Sequence, residues 1–63
     1  MLSCKAITPD DFAAALAGMV APARHDMAGA TVYQGEHPEF GTTILIADAI
    51  GGFAAMTDGV RWL

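Results

Sequence analysis

One cysteine in 63 residues, Cys4, excludes an internal disulfide. Nothing therefore ties the chain to an oxidising compartment, and cytoplasm is the expected location. Basic residues are equally scarce: Lys5, Arg24 and Arg61 stand against seven carboxylates, for a formal net charge of −4. Three dispersed cations make no basic stripe, and affinity for a phosphate backbone grows with the number of phosphates neutralised, so direct nucleic-acid binding is not expected. Long apolar runs are missing too. The longest uncharged stretch with an apolar helical pattern, Phe12 to Ala23, has twelve residues, whereas a membrane-spanning helix needs about 20. It ends in Ala21-Pro22-Ala23, which imitates a signal-peptide cleavage site, but Asp10 and Asp11 lie directly against the run where a leader would carry positive charge. Neither a membrane span nor a leader is expected, and there is no repeat, low-complexity tract or interdomain linker.

What the chain does have is apolar residues, 54% of the total. The length suits one domain, residues 1–63, of a size that buries only about 60% of its unfolded surface and gains at most a few kcal/mol from one core. Thirteen of the apolar residues are alanine, which adds little burial. The core must come from Phe12, Leu16, Val32, Tyr33, Ile44, Leu45, Ile46, Phe53, Met56, Val60, Trp62 and Leu63. So thin a core, with no disulfide to reinforce it, predicts that a protein partner covers part of the surface, with a homo-oligomer, a dimer, as the simplest form.

The clearest local signal is Thr8-Pro9-Asp10-Asp11: a hydroxyl N-cap, proline at the first helical position and carboxylates where the helix dipole favours them. Phe12, Leu16, Met19 and Val20 share one face, predicting a helix over 9–20. That face continues through Ala23 and Met27, so a second helical stretch over 22–28, kinked or doubled at Pro22 and capped by Gly29, is expected. From residue 30 β-branched and aromatic residues replace alanine, and glycines punctuate short runs, predicting strands near 31–34, 42–47, 53–57 and 60–63. Asp58-Gly59 reads as the two-residue turn of a hairpin. The fold class is thus α+β: an N-terminal helix packed on one face of a three- to four-stranded antiparallel meander. One helical layer covers one face. Leu45, Met56 and Leu63 are expected on the second face, as partner-binding residues.

Candidate chemistry is sparse. His25-Asp26 and Glu36-His37-Pro38-Glu39 are the places where histidine and carboxylates cluster, but eleven residues separate the histidines and no fourth ligand is evident. Cys4 and Ser3 have no adjacent activating constellation, no Gly-x-Ser-x-Gly elbow occurs, and Gly51-Gly52 lacks the spacing and lysine of a phosphate loop. Neither a catalytic residue nor a cofactor is expected. The loop from Gly35 to Gly41 offers Phe40 as an aromatic anchor rimmed by Glu36 and Glu39; folding back of Phe40 into the core is the competing reading. Asp10, Asp11, Glu36 and Glu39 could imitate phosphates if the helix start and that loop share one end. The sequence therefore points to a non-enzymatic acidic interaction module that self-associates, or that binds and inhibits a protein partner. Its size and charge suit inhibitors from phages or mobile elements that block host defence complexes, as anti-CRISPR proteins do. The alternative is a metal-binding protein or small oligomeric enzyme whose site, built on His25 and His37, forms between subunits.

Overall fold

The computed structural model describes residues 3–57, which form one α-helix and a five-stranded antiparallel sheet, an α+β arrangement. The chain runs β1 (Ser3–Ala6), α1 (Pro9–Gly18), β2 (Val20–Met27), β3 (Ala30–His37), β4 (Gly41–Asp48) and β5 (Phe53–Thr57). The spatial order is β1-β5-β4-β3-β2, so β2 to β5 form a meander and β1 closes against its last strand. The helix is second in chain order, and it carries the chain from one edge of the sheet to the other. Four strand spacings amount to about 19 Å, and a ten-residue helix rises about 15 Å, so helix and connectors match the crossing.

Thr8 caps α1: its Oγ1 accepts the Asp11 N–H at 3.1 Å, with Pro9 at the start of the helix and Asp10 and Asp11 in the first turn. The helix stops at Gly18, and the extended Met19 caps it. A helix running through Pro22 would press the proline ring on the Gly18 carbonyl and lose one backbone bond, while the residue before proline is steered away from helical dihedrals. The expected second helical stretch over 22–28 is therefore replaced by strand β2. Gly29 does have the left-handed conformation expected of a helix cap, φ 82°, but it serves the two-residue turn Ala28-Gly29 between β2 and β3. The strands expected near 31–34, 42–47 and 53–57 are present as β3, β4 and β5, the first two longer than expected. The strand near 60–63, its Asp58-Gly59 turn and Leu63 lie outside the described residues.

The pairing fixes which side chains share a face. Leu45 lies between Tyr33 and Ala55, and Thr43 between Gly35 and Thr57. Ala15 of α1 and the cap residue Met19 meet Leu45 and Ala55 in a buried cluster, with Ile7, Phe12, Leu16 and Tyr33 packed around it. Phe12 continues the packing toward both sides, 4.8 Å from the Phe53 ring and edge-on to Tyr33 at 5.9 Å. Small residues open this face to the helix end: a Cβ at Gly35 would lie 3.2 Å from Pro22 Cα and from the Met19 methyl.

The helix joins β2 through an irregularity between Val20 and Ala23, where Ala21 takes φ 45°. Left-handed backbone costs an L-residue roughly 1 kcal/mol relative to glycine. Ala21→Gly is accordingly expected to stabilise the protein by about 0.5–1 kcal/mol, raising the thermal midpoint by roughly 2–8 °C. Thermal unfolding followed by far-UV circular dichroism checks this, and an unchanged or lowered midpoint would contradict it.

Candidate functional site: the uncovered sheet face

Side chains alternate across a strand, so placing Leu45, Ala55 and Tyr33 under the helix places their neighbours on the opposite face. Two rows cross its middle. One runs Cys4, Met56, Ile44, Gln34 and Ala23; the next runs Ala6, Ala54, Ile46, Val32 and His25. Ile44 and Ile46 lie on β4, the central strand, and they, Val32, Ala54 and Met56 are half-buried by lateral neighbours in the sheet. The one described helix packs on the other face, so no described element lies over these side chains. The carboxylates lie at the margins, Glu36, held by the Thr42 hydroxyl at 2.9 Å, at one end and exposed Asp48 at the other, while exposed Gln34 stands within the first row between Ile44 and the edge strand. An apolar centre with a polar rim is the anatomy of a protein-binding surface.

Met56 belongs to this face, as expected. Leu45 does not: it is 0% exposed, beneath the helix. Its partner across the ladder is Ala55, and the residue facing Met56 is Ile44. Ile44 and Ile46, which alternate with Leu45 along β4, are thus the ones left uncovered by the described residues. Phe40 is also buried, at 4% exposure, with its ring stacked on His37 at 4.2 Å. The His37 ring is held in turn by the Glu39 N–H, which donates to Nδ1 at 3.0 Å, and the other ring nitrogen points toward Gly18 at the end of α1. The aromatic of this loop closes one end of the core, the competing reading of the sequence, and leaves Glu36 and Glu39 exposed around it.

The remaining candidate groups are dispersed. His25 lies on the uncovered face of β2, whereas His37 lies on the helix side of β3. Cys4 and His25 stand on opposite edge strands, and among the described residues no three His, Cys, Asp or Glu are grouped to hold a metal ion. The four acids considered as a phosphate imitation are split. Asp10 and Asp11 begin the helix near Phe53, while Glu36 and Glu39 flank its far end near Gly18.

The two sheet edges are built differently from the face. Every residue of β2 is exposed, Val20 and Met27 by 64% and 63%. The two-residue turn closing on Met27 and Ala30 directs the backbone groups of Arg24 and Asp26 outward. Arg24 Nε donates to Asp26 Oδ1 at 3.1 Å, and Thr31 Oγ1 donates to the same oxygen at 3.3 Å. The Arg24–Asp26 hydrogen bond, with the charge of Asp26, holds the Arg24 guanidinium above its ordinary pKa. Pro22, the bulge beside it and this charged pair blunt the β2 edge, and β1 is four residues long and carries Lys5; all are devices that discourage edge-to-edge pairing. A hollow of 380 Å³ opens where the β2–β3 turn meets the β4–β5 loop, lined by Asp26, Thr31 and Asp48 among others. Its two sides are tied by the Ala49 N–H donating to the Gly29 carbonyl at 2.9 Å.

No helix among the described residues is long and apolar enough to cross a membrane. No protein-family model, curated protein or solved structure matches this chain.

Phe40 gives a direct check on the site. As a buried ring it should cost about 3–5 kcal/mol when cut to alanine, enough to unfold a domain of this size in urea titration. A surface anchor in the same position would leave the midpoint unchanged, and that outcome would return Phe40 to the binding surface.

Proposed function

We propose that this chain is a non-enzymatic, acidic protein-interaction module that works through its uncovered sheet face, associating with a copy of itself or binding and blocking another protein. The observation that carries this reading is the apolar centre of Val32, Ile44, Ile46, Ala54 and Met56 within a polar rim, over which no described element packs. Dispersal of Cys4, His25 and His37 over different faces and edges supports binding rather than catalysis. The net charge of −4 steers encounter toward basic partners, and together with the small size it fits an inhibitor of phage or mobile-element origin directed at a host defence complex. Glu36 and Asp48, at the two ends of the face, would act there as rim charges, tuning association rate more than lifetime.

Ile44→Lys tests the face. Withdrawing an isoleucine side chain from an apolar contact costs roughly 1.5–3 kcal/mol, so an apolar fluorescent dye should bind the dilute variant about tenfold more weakly or worse. Far-UV circular dichroism should be unchanged, because no described element covers position 44. Equal dye binding by both proteins would sink the proposal.

A further inference from the structure

Granting that the uncovered face is a binding surface, we infer that its occupant is a second copy of this chain, the two sheets packing face to face as a two-fold sandwich. Shape is the first argument. Strands of 4, 8, 8, 8 and 5 residues, at about 3.3 Å per residue and 4.8 Å between strands, give the face a projected area of roughly 500 Å². Durable interfaces bury about 800 Å² of accessible surface on each partner, so the corrugated face must be used almost whole. A helix about 10 Å across covers one stripe of it. A second sheet of the same size covers it all, and sheets pack face to face at about 10 Å with side chains interleaved.

The edges supply the second argument. Pro22, the adjoining bulge and the Arg24–Asp26 pair on β2, and the shortness of β1 with its Lys5, discourage copies from joining edge to edge. The apolar face is left as the route to self-association. Its carboxylates, Glu36 and Asp48, lie at the two ends, so two facing copies keep them at the hydrated margin instead of opposed in the dry centre.

Supply is the third argument. Among the described residues the buried apolar cluster is small, Ala15, Met19, Leu45 and Ala55, and Cys4 is a free thiol. Whatever reinforces so small a core has to be present when the chain folds, and a copy of the same chain always is. Binding that is specific to the folded state raises its stability with concentration.

Sedimentation equilibrium from about 1 to 200 µM, with thermal unfolding at the same concentrations, tests the inference. The expected mass rises to twice the 6.5 kDa of one chain, and the thermal midpoint climbs with it. Cys4 shares the face at the β1 edge and is exposed in the single chain, so its modification by a thiol reagent should slow as concentration rises. That measurement needs no substitution. Ile46→Lys should remain a single chain throughout, with Cys4 reacting at one rate. A dimer that survives Ile46→Lys, or a constant single-chain mass with Cys4 reactivity indifferent to concentration, overturns the second copy. If that single chain still binds an apolar dye that Ile44→Lys does not, the face stands and its occupant is another protein. If neither protein binds the dye, both readings fall.

Discussion

The row in which Leu45 lies between Tyr33 and Ala55 is the constraint on which the rest depends. Ala55 is small, and Ala15 above it is smaller than any other apolar residue the helix could present, so α1 can descend far enough to exclude water from Leu45 entirely. Once Leu45 faces the helix, the pleat leaves no freedom elsewhere. Ile44 and Ile46 must face away, and the antiparallel ladder takes Met56, Ala54 and Val32 with them. The uncovered apolar surface is therefore a by-product of one packing choice, and a slip of one residue in β4 would exchange the two sets.

Much of this was readable from the residues because the relevant forces are local. Thr8-Pro9-Asp10-Asp11 names a helix start by hydrogen bonding and charge, and β5 begins at Phe53, where an apolar run follows Gly51-Gly52. β2 was not readable. After Val20 its residues, Ala-Pro-Ala-Arg-His-Asp-Met, include none of the β-branched or aromatic types that favour strands, all of β2 is exposed, and neither face imposes an alternation. Main-chain pairing with β3 makes it a strand, and main-chain pairing leaves little trace in side-chain pattern. Gly29 misled for a related reason: a helix cap and a tight turn both call for a positive φ, and glycine marks either.

The placement of Leu45 exposes a sharper difficulty. Alternation along Thr-Thr-Ile-Leu-Ile-Ala gives β4 two apolar sides without marking which of them a helix covers, since Ile44 and Ile46 offer as much apolar surface as Leu45 and Ala47. The choice was made by the neighbours. Across the ladder Leu45 meets alanine, and Thr43 lies beside Gly35, so that face is shallow enough to admit a helix. On the other, Ile44 meets Met56 and Ile46 lies between Val32 and Ala54, so branched and long side chains predominate there. A helix selects the face where small residues let its backbone approach, and that information lies in pairs of strands, beyond the reach of any single strand's pattern.

The same pairing explains why so alanine-rich a chain still has apolar surface left over. Alanines at positions 15 and 55 are consumed in close approach between helix and sheet, whereas the larger residues Val32, Ile44, Ile46 and Met56 sit where none of the described residues forms a second layer. A strand such as Thr-Thr-Ile-Leu-Ile-Ala, apolar on both sides, is the kind found between two covering layers. With α1 supplying one layer among the described residues, the proposed second copy would supply the other, and the two apolar sides of β4 would then both be covered.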